Sequence, residues 1–357
     1  MRAAAIGLFI AVMASTAHAQ RPLSAAVVTQ EFICDTMPTA ACHASSIIFI
    51  DGDPAVAWFG GSYEGCADVG IWFSRRAGGT WGTPVRIADG AGAQGEQFAC
   101  WNPVLHRLKD GSVLLFYKVG PNPRAWWGMM KRSFDGGTTW SAPMRIPDGC
   151  VGPVRNHPLE TASGELLCPS STESTGWKVW IERTPDAGRT WTLLGPLNDT
   201  SAIEAIQPAL VDMGVQGILA VGRTKQGRLF QTVSRDTGWT WEPMTLGGFL
   251  CSNSGVDAVR LRDGRVMLVY NHARNDPARW NVGRDTMAVA VCADGKHWQA
   301  GVLLEVERGA EFSYPSVALS PDGLVHITYT WKRQKIRHLV LDPTKVPGRP
   351  FRGVEWE

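Results

Sequence analysis

Short apolar runs, each launched from a glycine turn, recur along the whole chain. They read DGDPAVAWFGG, DGSVLLFYKV, SGELLCPSS, QGILAVGRT, DGRVMLVYN and DGLVHITYT, with turn glycines at 52, 111, 164, 217, 264 and 323. Asp-Gly ahead of an apolar alternation is a hairpin signal, because the turn needs a positive φ that glycine tolerates. Six such hairpins predict six small sheets. Helical periodicity is nearly absent, and 39 glycines with 22 prolines cut the chain into short segments.

A second series runs in phase with the first. SRRAGGTW, SFDGGTTW, TPDAGRTW, SRDTGWTW and the shortened CADGKHW fit S-x-D-x-G-x-T-W with losses, and they close on Trp81, Trp140, Trp191, Trp241 and Trp298. The intervals of 59, 51, 50 and 57 residues mark a repeat architecture. A six-bladed β-propeller of four-stranded antiparallel blades, all-β, fits both series, with one blade lacking a box. Closure is expected from a strand around residues 24 to 33 pairing with one around 335 to 341. Within a box, the aspartate accepts hydrogen bonds from turn amides, the glycine makes the reversal and the tryptophan packs between sheets. The boxes are therefore read as structural turns rather than ligand sites.

The chain has 357 residues, and the repeats imply that residues 20–357 form a single propeller domain. The opening MRAAAIGLFIAVMASTAHAQ carries an early arginine, a short apolar run and Ala17-His18-Ala19, the pattern of a signal peptide over residues 1–19 cleaved after Ala19. No second apolar run approaches the roughly 20 residues of a membrane span. An exported protein, periplasmic or secreted and monomeric, is expected. With 35 basic and 33 acidic side chains the net charge is +2, and nothing in the pattern argues for nucleic acid. The eight cysteines permit disulfides in an exported chain, and Cys34–Cys42 and Cys150–Cys168 are the first pairs to consider from their closeness in sequence. Neither C-x-x-C nor H-E-x-x-H occurs, so no metal and no cofactor is expected.

The boxes, the in-phase hairpins and the length together resemble the sialidase superfamily, six-bladed propellers with BNR or Asp-box repeats. The resemblance covers essentially the whole chain beyond the leader. It implies three arginines that clamp a substrate carboxylate, an aspartate acid/base, and a tyrosine nucleophile paired with a glutamate. Arg223 in AVGRT and Arg284 in NVGRDTMAVAV match the second and third arginines, and Tyr314 in EFSYPSVAL looks like the nucleophile. Asp68 in GGSYEGCADVG falls where the acid/base loop is expected, with Glu64 competing for the role.

Two positions depart from the pattern. ACHASSIIFIDG offers His43 in place of the first arginine, and IEAIQPALV offers Gln207 in place of the glutamate, with Glu204 nearby. Glutamine cannot take the proton of a phenol, so Tyr314 would need Glu204, Glu311 or a histidine as its base. Histidine cannot supply the bidentate pairing of a guanidinium. A sub-branch of Asp-box proteins is similar in further segments, here WFGGSYEG, RNHPLE, NSGVDAV and YTWKRQKIRH. It adds Asn102, Lys118, Arg155, Asn156, His157, Asn253, Asp257 and Arg333 to the candidate site, His157 as a catalytic candidate and the others as substrate contacts. Trp101, Trp126 and Trp127 lie outside the boxes, where their faces could stack on sugar rings.

The resemblance implies an exported glycoside hydrolase that removes a terminal acidic sugar from a glycan. Arg223 and Arg284 would hold the carboxylate, Asp68 or Glu64 would protonate the leaving oxygen, and Tyr314 would attack or stabilise the oxocarbenium-like centre. Two alternatives remain: a propeller lyase acting on a uronic-acid polymer, and a glycan-binding propeller without catalysis.

Overall fold

Each Asp-Gly turn reverses an apolar strand onto its neighbour, and the repetition of this unit closes into a ring. The computed structural model describes residues 24–92, 94–276 and 282–356. The expected leader, residues 1–19, lies outside the described residues. Six antiparallel sheets follow one another around an axis, four strands in five of them and five in the first. Their innermost strands include Ala41–Ile50, Ala99–Arg107, Ala205–Asp212, Asp257–Arg260 and Phe312–Leu319, and these pack against one another around the axis. Two three-residue 3-10 turns are the only helical elements among the described residues. No helix there is long and apolar enough to cross a membrane.

Closure follows the expected route. Val27–Phe32 pairs antiparallel with Lys335–Leu341, placing Thr29 against Val340 and Phe32 against Arg337. The N-terminal strand is thus the outermost strand of the sixth blade. That explains the missing box: a box turns the third strand of a blade into its fourth, and in the sixth blade the fourth strand comes from the other end of the chain.

The boxes are hydrogen-bonded turns. Asp135 Oδ1 accepts from the Thr139 amide at 2.8 Å and Oδ2 from the Thr139 hydroxyl at 2.5 Å, while the Gly137 amide donates to Ser133 Oγ at 2.8 Å. Asp186 with Thr190 and Asp236 with Thr240 repeat the arrangement. The bonds from Thr139 and Ser133 pull the Asp135 carboxyl down to about 2. Gly137 has φ of 92°, and a Cβ there would lie 2.5 Å from the Phe73 ring of the preceding blade, so the box glycine also sets how closely two blades approach. Trp140 packs edge-on against that same Phe73, with ring centroids 5.8 Å apart.

The disulfide expectation is corrected. All eight cysteines are free thiols, Cys42, Cys100, Cys168, Cys251 and Cys292 buried among apolar strands. Burial raises the thiol of Cys42 and of Cys168 far above the usual range, so these side chains serve as small apolar core residues. Six apolar clusters packed between neighbouring blades supply the constraint that cross-links give to smaller domains.

Candidate functional site

The inner strands carry a repeated irregularity at the end of the ring away from the boxes. Register slips between His43 and Ser46, Trp101 and Val104, Ile206 and Ala209, and Ser313 and Ser316. Inside these bulges sit Ala44, Asn102, Gln207 and Tyr314 with φ of 54°, 40°, 55° and 54°, and Arg155 of the third blade adopts 77°. Left-handed non-glycine residues are costly and concentrate where surrounding structure holds a functional side chain in place. The sequence signal is a residue followed by proline at the head of an inner strand: Asn102-Pro103, Gln207-Pro208 and Tyr314-Pro315.

These bulges open into a cavity of about 410 Å³ lined by Glu64, Trp101, Asn102, Pro123, Trp126, Glu173, Trp177, Gln207, Arg223, Asn253, Arg284 and Tyr314. Tyr314 is its organising residue. The guanidinium carbons of Arg155, Arg223 and Arg284 stand 5.1, 5.4 and 5.5 Å from the tyrosine ring centre. Arg223 Nη2 donates to the Tyr314 hydroxyl at 3.0 Å, and its Nη1 donates to Asn253 Oδ1 at 3.1 Å. Each arginine is at least nine-tenths buried, so its charge acts through little water.

The cations differ in how far they are neutralised. Glu311 accepts from Arg284 Nη1 at 2.9 Å and from Arg333 Nε at 3.0 Å, and Arg333 Nη1 also pairs with Glu64. Burial opposes ionisation of Glu311, yet Arg333 and Arg284 outweigh it and hold the carboxyl below its usual range. Burial likewise works against Arg333, and Glu64 with Glu311 more than offsets it. Arg155 donates to the carbonyls of Val256, at 3.0 Å, and Pro315, and to the Asn156 side chain. Gly255 makes room for it, since a Cβ there would lie 2.5 Å from Arg155 Nε. Asp257 lies below, accepting from the amides of Ala258 and Val317 at 2.9 and 2.8 Å, and burial raises its carboxyl. Arg155, Asn156 and Asp257 thus form the buried floor of the site.

Several candidates fall elsewhere. Asp68 is exposed and absent from the cavity wall; its Oδ2 accepts from the Ser62 amide at 2.8 Å and hydroxyl at 2.7 Å, and these bonds lower its carboxyl. Glu204 is occupied by Lys225 Nζ at 2.8 Å and the Trp177 amide at 3.2 Å. His157 bridges the Leu105 carbonyl and Ser316 hydroxyl and lines a separate cavity at the box end of the channel. Lys118 is fully buried and donates to the Pro153 carbonyl at 2.8 Å; burial lowers its amine to about 8, with Glu182 acting the other way.

The two departures have distinct environments. His43 is buried with its ring 4.3 Å from that of Tyr314 and Nδ1 at 2.9 Å from Thr330 Oγ1. Burial, reinforced by Arg333, Arg284, Arg155 and Arg223, holds it neutral far below the usual histidine range. Gln207 lines the cavity, and its Oε1 is buried with no hydrogen-bond partner among the described residues.

Sequence reasoning missed Pro123, Glu173 and Trp177 as parts of the wall. They sit in loops joining second to third strands, where no repeat or spacing marks them. No group of three or more His, Cys, Asp or Glu among the described residues is placed to hold a metal ion.

The profile of a BNR repeat-like domain matches residues 52–327. No curated protein matches the sequence. Among solved structures, a protein of unknown function from Dyadobacter fermentans superposes with a TM-score of 0.70 at 18% identity, over 88% of this chain and 98% of that one. The intramolecular trans-sialidase from Ruminococcus gnavus gives 0.70 at 14% identity, over 92% of this chain and 100% of that one. The NanB sialidase from Streptococcus pneumoniae gives 0.69 at 14%, over 91% and 72%. At these identities the likeness is one of fold.

Proposed function

We propose, from the premise that this chain belongs to the BNR repeat-like domain family, that it is an exo-acting glycoside hydrolase removing a terminal acidic sugar from a glycan. The observation that carries the reading is the convergence of Arg223 and Arg284 on Tyr314 in one cavity, with Arg223 bonded to the tyrosine hydroxyl at 3.0 Å. Charge-assisted bonds from the two guanidiniums would hold the sugar carboxylate. Tyr314 would then face the anomeric carbon, where a neutral phenol avoids the repulsion that an anionic nucleophile meets beside a carboxylate. Trp126 and Trp177 line the cavity beside the buried Trp101, and their rings would stack on those of the glycan. Residues 1–19 would be the signal peptide of an exported, monomeric enzyme that needs no cofactor.

Incubation with 4-methylumbelliferyl glycosides of N-acetylneuraminic acid and glucuronic acid, and with uronic-acid polymers, tests the reading. Release of reducing sugar without new ultraviolet absorbance supports hydrolysis. Gln207 keeps an eliminative alternative in view, because a lyase needs no glutamate beside its tyrosine. An unsaturated, absorbing product would replace the hydrolase reading with that one, and tight binding without turnover would replace both with a glycan-binding propeller.

A further inference from the structure

A glycosidase needs a carboxylic acid within reach of the leaving oxygen, and the carboxylates around this cavity are mostly committed elsewhere. Asp68 is tied to Ser62 outside the wall, Glu64 and Glu311 are ion-paired with Arg333, Glu204 is held by Lys225, and Asp257 is buried in the floor. Glu173 is different. It lines the same cavity as Tyr314, is half-buried, and makes no hydrogen bond or ion pair among the described residues. Its loop joins Leu166–Thr172 to Lys178–Thr184 in the third blade. That loop is tethered to the fourth blade: the Trp177 amide donates to Glu204 at 3.2 Å, and Arg223 stands 5.1 Å from the Trp177 ring centre. A carboxyl with uncommitted oxygens is therefore carried on an anchored loop, facing a cavity whose other walls hold the cations and the tyrosine.

We propose that Glu173 is the general acid of the site, protonating the leaving-group oxygen of an acidic-sugar glycoside. The inference rests on the hydrolase reading above. The bond between anomeric carbon and leaving oxygen breaks with its electron pair going to oxygen, which takes the Glu173 proton and departs as an alcohol. Water then adds to the anomeric carbon and returns a proton to the Glu173 carboxylate, so one water is consumed and the enzyme is restored.

The wild-type protein is first assayed on acidic-sugar glycosides with a 4-nitrophenol leaving group and on the matching glycosides of a neutral sugar. Absence of turnover on every glycoside overturns the hydrolase reading and this role with it, before any variant is made. Where turnover is found, Glu173→Gln is expected to lose about 100-fold or more in kcat on the sugar leaving group and less than about tenfold on 4-nitrophenol, which needs little protonation. Sodium azide is expected to accelerate Glu173→Ala and yield a glycosyl azide. Equal losses on both leaving groups without azide rescue, or the same leaving-group signature in Glu64→Gln instead, would overturn Glu173 while leaving the hydrolase reading intact. Melting curves of both Glu173 variants show whether each is folded when assayed.

Discussion

The hydroxyl of Tyr314 accepts a hydrogen bond from Arg223 at 3.0 Å, across 91 residues of chain and between the fourth and sixth blades. Neither side chain has this partner until the ring closes. The pairing fixes the tyrosine oxygen against a buried cation in the wall of the cavity. Tyr314→Phe removes the oxygen and leaves the ring among its three arginines, so turnover is expected to fall about 100-fold or more while the fold persists. Arg223→Lys keeps the charge but loses the planar fork, and kcat/KM for an acidic glycoside is expected to fall about tenfold or more. Steady-state kinetics alongside circular dichroism check both, and a fully active Tyr314→Phe would remove tyrosine from the mechanism.

Gln207 lines the cavity with its Oε1 buried and without a hydrogen-bond partner among the described residues. Gln207→Glu would place a base in the same cavity as Tyr314. With a sialoside as substrate, the variant is expected to gain at least about tenfold in kcat, the low end of what a positioned base contributes. No gain in a folded variant would mean that Tyr314 does not need this position for its proton.

The box turns hold blades and do not touch the cavity. Asp135→Asn loses the carboxylate that accepts from both groups of Thr139, so the melting temperature is expected to fall by roughly 2–8 °C. The kcat below the transition should not change. A loss of activity without loss of stability would return the boxes to the list of ligand sites.

Acid should destabilise this protein through histidines that burial keeps neutral. Burial holds His106 down to about 3, and His272 and His326 to about 4, with His43 also far below its usual value. An unfolded histidine titrates near pH 6.5, so between about 6.5 and 4 the unfolded chain binds protons that the native chain does not. Stability is fully present above that window and is lost as pH falls through it. Urea midpoints measured from pH 7.5 to 4.5 should decline, and His106→Gln should flatten the slope.

Free thiols are countable. Denatured, unreduced protein is expected to titrate eight thiols with Ellman's reagent, and the native protein far fewer, because five of the eight are buried. Four or fewer thiols after denaturation would establish two or more disulfides.

Much of the architecture is legible in one dimension, because strand period, Asp-Gly turns and the Ser-x-Asp-x-Gly-x-Thr-Trp box are local devices. Each is satisfied within a dozen residues, so Asp135 needs only Thr139 and Ser133 to form its turn. The count of six blades, one of them without a box, follows from that local grammar, and the expected pairing of the chain's two ends closes the ring. Arg223, Arg284 and Tyr314 were named from the family resemblance, and the structure brings the three side chains together in one cavity.

What the sequence could not decide is which charges meet. Glu64, Glu311 and Arg333 come from the first and sixth blades, and only ring closure makes Arg333 a shared partner of both carboxylates. Asp68 and Glu64 are four residues apart in one loop, yet one turns to Ser62 and the other to the cavity. His157 sits next to two floor residues in sequence, yet its ring turns to the Leu105 carbonyl and the Ser316 hydroxyl and lines the separate cavity. Glu173 belongs to no motif, and its freedom from a counter-ion is a property of the assembled ring. Local hydrogen bonding fixes a turn from its own residues, whereas a buried charge takes its character from partners that the chain delivers from other blades.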